Sequence, residues 1–295
     1  MNDMFSGSLV AIVTPMQADG SLDFPAWERL LDFHLANGTA GVVVGGTTGE
    51  SVALSDAELE ELARRACERV AGRMQVIAGA GTSSTATTVD KVRRLSQLPI
   101  DGVLIVTPAY NRPTQEGLFR HYEAAAAASR VPVIAYNVPS RTAVDMLPAT
   151  VARVAQLPRM IAVKEAVAGM DRVREIRTLA PPGFIVLSGD DATARDAVLN
   201  GARGVISVTA NVAPRAMADV VAAAARGDAA GAQQLDAPLA GLHQQLFCEA
   251  NPIPAKWALA RMGLIGPGIR LPLTPLAPQF HAGVEQALRQ AGLLD

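Results

Sequence analysis

Short apolar runs recur along the chain: LVAIVTP from Leu9, GVVVGG from Gly41, QVIAGAG from Gln75 and GVLIVTP from Gly102. They continue as PVIAYNVP from Pro132, MIAVKEA from Met160, FIVLSGDD from Phe184 and GVISVTA from Gly204. Each is a few residues long, rich in β-branched residues and continuously apolar rather than alternating. That is the pattern of parallel strands buried on both faces. Between them lie stretches with helical spacing, among them FPAWERLLDFHLAN, SDAELEELARRACERVAG and TQEGLFRHYEAAAAASR. Ser55 ahead of DAELEEL, with Glu58 three residues on, is a capping-box start. From Pro214 the strand pattern stops, and helices broken by NPIPAKW and the proline-rich GPGIRLPLTPLAP segment take over.

Eight such runs alternating with helices predict an α/β protein, a (β/α)8 TIM barrel with a C-terminal helical appendage. Residues 1–213 are expected to carry the barrel strands and the site. Residues 214–295 are expected to supply the last barrel helix and the C-terminal helices, as one continuous structural unit. A doubly wound open sheet is the second arrangement. It calls for a glycine-rich phosphate turn after the first strand, and VAIVTPMQADG is not one.

Composition narrows the chemistry. The 295 residues are 49% hydrophobic and 18% charged, which builds a core rather than a disordered chain. A formal charge of -2 lacks the basic footprint of a nucleic-acid binder. No run reaches the ~18 uncharged apolar residues that span a bilayer, and MNDMFSGSLV is no signal peptide. A soluble, cytoplasmic protein without nucleic-acid or membrane partners is therefore expected. Cys67 and Cys248 lie in apolar helical patterns and read as buried free thiols. His34, His121, His243 and His281 are scattered in helices without ligand spacing, so no metal is expected. Asp190-Asp191 suits a helix cap better than a magnesium site, and no P-loop or dinucleotide fingerprint points to a cofactor.

The basic residues are nearly all arginines; the lysines are Lys91, Lys164 and Lys256. Lys91 reads as part of a solvated helical face and Lys256 follows a proline-rich turn. Lys164 instead interrupts the apolar run MIAVKEA, on the sixth strand, and chemistry in such barrels gathers where strands end. Burial of an ammonium lowers its pKa, and a neutral lysine attacks a ketone to give a carbinolamine and then a Schiff base. The competing reading is a buried ion pair with Glu165 or Asp190. Glu165 is a poor partner, since adjacent strand residues face opposite ways. Tyr110 and Tyr136 fall at strand ends, where a phenol could shuttle the proton; Tyr122 sits in a helix as packing. Thr47 could supply the next hydroxyl. The glycines of GGTTGES let backbone N–H groups cradle a carboxylate, or simply make a tight turn. Arg141, on a proline-flanked loop, fits bidentate capture of a second carboxylate, or is a surface arginine.

Taken in order, GTTGES, TPAYNRPTQEGL, YNVPSRT, KEA, SGDDAT, GVISVTANVAPR and NPIPAKWA resemble the dihydrodipicolinate synthase family of pyruvate-dependent class I aldolases, from about Leu9 to Leu294. YNVPSRT and NPIPAK set the chain apart from the sialic-acid lyases and sugar-acid aldolases, which share the lysine and the strand-five tyrosine but lack this arginine. The resemblance implies that Lys164 forms the Schiff base with pyruvate and that Tyr136 donates and accepts the proton. Thr47 and Tyr110 would complete the relay, Tyr110 by reaching into the neighbouring subunit's site. Thr48 and the backbone of Ile206 would hold pyruvate, and Arg141 would receive the carboxylate of L-aspartate 4-semialdehyde. A lyase of lysine and diaminopimelate biosynthesis follows, without cofactor and typically a homotetramer built as a dimer of dimers. Another pyruvate-dependent 2-keto-acid aldolase is the alternative. A catalytically silent ligand-binding barrel is the other, disfavoured by the intact Lys164, Tyr136 and Thr47. One departure concerns regulation. Ala109 replaces a second tyrosine found in many members, Asp56 and Leu59 stand where feedback-inhibited members often have histidines, and Ser83 and Thr87 are small. Feedback by lysine is therefore expected to be weak or absent.

Overall fold

The computed structural model describes residues 4–295. Eight parallel strands close into a barrel in chain order, with β1 completing the ring against β8. They are β1 Gly7–Ala11, β2 Gly41–Val44, β3 Gln75–Gly79, β4 Gly102–Val106, β5 Val133–Asn137, β6 Met160–Glu165, β7 Ile185–Ser188 and β8 Gly204–Ser207. Each lies within or one to two residues off an apolar run, whose trailing GG, TP or NVP residues leave the sheet as loops. The architecture is the expected (β/α)8 barrel, not a doubly wound sheet.

The reason the runs do not alternate is visible in the packing. One set of side chains, including Leu9, Val43, Ile77, Leu104, Ile134, Ala162, Leu187 and Ile206, fills the barrel interior, joined by the buried Phe5. The intervening set, including Val10, Val42, Val76, Val103, Val133, Val163, Val186 and Val205, packs outward under the helices. Both faces are dry, so both must be apolar.

The helices are α1 Phe24–Ala36, α2 Asp56–Val70, α3 Thr85–Leu95, α4 Gln115–Ala128, α5 Pro139–Thr142, α6 Pro148–Val154 and α7 Met170–Leu179. Beyond them come α8 Ala194–Leu199, α9 Pro214–Ala225, α10 Ala229–Asp236, α11 Ala240–Gln245, α12 Ile253–Arg261 and α13 Pro278–Gln290. The capping box at α2 is formed: Ser55 Oγ accepts from Glu58 N–H at 3.2 Å, and Glu58 Oε2 accepts from Ser55 N–H at 2.8 Å. Helix α9 packs along β1. The segment after α12 then returns across the α2 side of the barrel. Arg270 donates to Ala53 O at 2.7 Å and Gly20 O at 2.8 Å and pairs with Glu58 at 2.5 Å.

The cysteines differ from expectation. Both are half-buried, and Cys248 lies past the end of α11 rather than in a helix, because that segment bends toward Asn251. Burial pushes the Cys67 thiol up to about 11, so it stays protonated. Among the described residues, no helix is long and apolar enough to cross a membrane.

Candidate active site

Lys164 on β6 lies in register with Tyr136 on β5, and both side chains turn into the barrel. They open on a cavity of about 250 Å³ at the C-terminal mouth, which Thr47, Thr48, Arg141 and Asp190 also line. Lys164 is 5% exposed, and its Nζ stands 4.3 Å from the centroid of the Tyr136 ring. The ring face offers a cation some compensation for lost water. No carboxylate among the described residues lies within ion-pair distance of Lys164. Burial therefore draws its pKa down to about 8, helped by Arg141 and opposed by the charge of Asp191. At pH 7 roughly a tenth of the amine is free, against about one part in several thousand for an ordinary lysine. Gly189 leaves the room for the side chain: a Cβ there would come within 3.0 Å of Lys164 Cε.

Tyr136 behaves oppositely. Burial pushes its phenol up to about 12, with Arg141 and a hydrogen bond to the Thr47 side chain pulling back. The phenol stays protonated near neutrality and can give a proton before it takes one. Thr47 and Thr48 sit on the loop after β2, which folds back on itself. Gly49 N–H donates to Gly46 O and Glu50 N–H donates to Thr47 O, both at 3.1 Å. Gly45 makes the turn at φ 60°, and a Cβ there would strike Leu59 Cδ1 at 2.3 Å, so both conformation and space call for glycine. Thr48 Oγ1 accepts from Asn251 Nδ2 at 2.9 Å.

Arg141 is carried by the short helix α5 rather than by a loop, because Pro139 presets the first helical turn. It is exposed at the cavity rim, and its Nη2 donates to Asn251 O at 3.2 Å. Ile206, on β8, packs in the same interior cluster as Tyr136. Tyr110 stands apart. It lies beyond the end of β4, is 96% exposed, and does not line the cavity. Its backbone sits at φ 72°, and Asn111 N–H donates to Ala109 O across it at 2.9 Å.

Comparison with known proteins decides the family. The model of the dihydrodipicolinate synthetase family matches residues 4–291. The chain belongs to this family. A curated relative named 4-hydroxy-tetrahydrodipicolinate synthase, from Methylococcus capsulatus, is 53% identical over 99% of this chain and 100% of its own length. The synthase of that name from Laribacter hongkongensis is also 53% identical, with the same coverage. Among solved structures, a chloride-inhibited dihydrodipicolinate synthase from Acinetobacter baumannii, complexed with pyruvate, superposes with a TM-score of 0.97 at 45% identity, covering 99% of this chain and 100% of that one. A dihydrodipicolinate synthase from Cyanidioschyzon merolae with lysine bound gives a TM-score of 0.95 at 35% identity, covering 98% of this chain and 99% of that one.

Within this family member several further residues shape the site. Asp191 does not cap the next helix. It is buried and accepts from the Ser207 hydroxyl at 2.5 Å, Val208 N–H at 2.8 Å and Thr209 N–H at 3.1 Å, tying the end of β8 to β7. Its neighbour Asp190 takes the turn ahead of α8, accepting from the Thr193 hydroxyl at 2.7 Å. An Asp-Asp pair after a strand shows that one residue turns the chain, but not which one the fold buries. Glu165 does face away from Lys164, toward Asn137 Nδ2 at 3.1 Å and Val167 N–H at 2.8 Å, and burial pushes its carboxyl up to about 7.

The other lysines need correction. Lys91 is not solvated: its side chain is 12% exposed and lies 3.3 Å from Asp56. Lys256 is as buried as Lys164 but pairs with Glu50 at 2.5 Å. Burial therefore does not distinguish Lys164; the want of a carboxylate partner among the described residues does. Among the described residues, no three His, Cys, Asp or Glu side chains are grouped to hold a metal ion.

Proposed function

We propose that this protein is a 4-hydroxy-tetrahydrodipicolinate synthase, a lyase that joins pyruvate to L-aspartate 4-semialdehyde in lysine and diaminopimelate biosynthesis. The observation that carries the reading is a buried lysine without a carboxylate partner among the described residues, its Nζ 4.3 Å from the ring centroid of a protonated tyrosine at the mouth of the barrel. The free amine of Lys164 attacks the keto carbon of pyruvate. Tyr136 delivers a proton to the carbinolamine oxygen, water leaves, and an imine remains. The hydroxyl of Thr47 returns the proton to Tyr136, while Thr48 and the backbone of Ile206 hold the carboxylate of pyruvate.

Transfer of a methyl proton to solvent turns the imine into an enamine, whose carbon adds to the aldehyde of the second substrate while the aldehyde oxygen takes a proton from solvent. Arg141, exposed at the rim, suits capture of that substrate's carboxylate. The substrate's own amine then displaces Lys164 as the ring closes. One water is released overall and the lysine is regenerated, so neither metal nor redox cofactor is called for. The exposed Tyr110 is read as the residue each subunit lends to its neighbour's relay, in a cytoplasmic homotetramer arranged as a dimer of dimers.

The test is to trap the imine. Borohydride with pyruvate should modify Lys164, as located by mass spectrometry of peptides, and the initial trapping rate should rise with pH and level off above about 8, where the amine is free. An adduct on Lys91 or Lys256 instead, or none at all, would overturn the reading. Turnover with sugar aldehydes in place of the semialdehyde would favour the sister aldolases.

A further inference from the structure

Glu50 is the last residue of the GTTGE loop, and it is bound from two sides. Its Oε1 pairs with Lys256 Nζ of α12 at 2.5 Å, with the two side chains 1% and 5% exposed. Its Oε2 accepts from Arg270 N–H at 3.2 Å. Its backbone belongs to the loop: the N–H donates to Thr47 O at 3.1 Å, and the C=O accepts from Ala53 N–H at 2.8 Å. Glu50 sits at φ 57°, a left-handed conformation that costs a side-chain-bearing residue energy and persists where its surroundings impose it.

Helix α12 touches the same loop a second time. Asn251, just ahead of the helix, donates to Thr48 Oγ1 and accepts from Arg141, so the entry to α12 lies between the two substrate-facing groups. Burial lowers the proton affinity of Lys256 while Glu50 sustains it. Breaking a pair of this kind leaves an uncompensated charge out of water, so the loop cannot lift from α12 cheaply. Neither Glu50 nor Lys256 lines the cavity.

We propose that the Glu50–Lys256 pair is a positioning device, pinning the GTTGE loop to α12 so that Thr47 and Thr48 are preset beside Lys164 for the carboxylate of the keto acid. The proposal rests on reading the cavity as the pyruvate site. Both residues act through the two threonines, and small displacements of such groups carry large rate penalties.

The experiment uses the full-length protein and the variant Glu50→Gln/Lys256→Gln, which removes both charges and strands neither. Circular dichroism checks the fold; pyruvate KM, semialdehyde KM and the borohydride trapping rate at sub-saturating pyruvate are then compared with the parent. The pyruvate KM should rise by ~10-fold or more and the trapping rate fall in proportion, with a much smaller change in semialdehyde KM. A folded variant with parental pyruvate KM and trapping rate, even with a lowered melting temperature, would reduce the pair to a structural contact. Should the double variant not fold, Lys256→Arg keeps the charge on a differently shaped head, and the same split in KM decides the matter. Failure of the parent itself to trap pyruvate on Lys164 would instead strike the functional reading.

Discussion

At the scale of the residue, burial in the cavity separates two pKa values that start close together. Lysine and tyrosine ordinarily titrate near 10, yet here burial draws Lys164 down to about 8 and pushes Tyr136 up to about 12. The same desolvation acts on both; the signs differ because one group is charged when protonated and the other when deprotonated. Near neutral pH the lysine can therefore offer a lone pair while the tyrosine offers a proton, a division of labour typical of acid–base pairs. Tyr136→Phe keeps the ring under Lys164 Nζ and removes only the hydroxyl. Its kcat should fall by ~10²-fold or more with an unchanged fold. Near-normal turnover in a steady-state assay would assign the proton to another group.

At the scale of the element, the important contacts join segments far apart in sequence. The loop after β2 is set by its own glycines, but Thr14 holds it from one side, donating to Gly49 O at 2.8 Å, and α12 holds it from the other. Helices α2 and α3 are joined by Asp56, whose carboxylate meets both Lys91 and Arg94; Arg94 above all holds its pKa below the usual range. Asp56 is thus already engaged by two cations, while Leu59 is buried against Gly45. An incoming amino acid with a second ammonium group would find its acceptor engaged and no imidazoles to replace it. L-Lysine should leave initial rates at saturating pyruvate nearly flat into the millimolar range. A sub-millimolar half-inhibition constant would show that other groups rebuild an effector pocket.

For the whole molecule, buried titratable groups predict the dependence of stability on pH. His34 and His121 are buried in the helical layer, and desolvation lowers their pKa values from 6.5 to about 3 and about 4. Below pH 6.5 the unfolded chain takes up two protons there that the folded protein refuses, so acid favours unfolding. Glu165 works in the opposite sense: burial raises it from 4.5 to about 7, so between those values the folded state holds a proton that the unfolded chain has lost. Two protons against one leave a net of about one. Stability should fall by about 1 kcal/mol per pH unit as pH drops from 6.5 toward 4.5. Urea midpoints measured across that window check it; a flat or rising trend on acidification would show that these groups do not govern the balance.

Much of this was legible in the chain. The barrel follows from runs that are apolar on both faces, because only a strand covered inside and outside dispenses with alternation. The site follows in part too: a lysine interrupting such a run, and a tyrosine ending the run before it, are placed in register by the geometry of parallel pairing. What the linear order could not reveal is pairing between distant segments. Lys164 interrupts a strand and Lys256 follows a proline-rich turn, yet both become buried. Only the fold brings Glu50 to one of them and, among the described residues, no carboxylate within ion-pair distance of the other, and that difference separates a buried ion pair from an unpaired buried amine. Likewise Asp190 and Asp191 are adjacent in sequence but diverge in role, one turning the chain and one fastening β8, because the register of β7 against β8 decides which carboxylate meets the backbone N–H groups of Val208 and Thr209. Local patterning is written in short windows of sequence; the electrostatic environment of a buried charge is a sum over everything the tertiary structure packs around it.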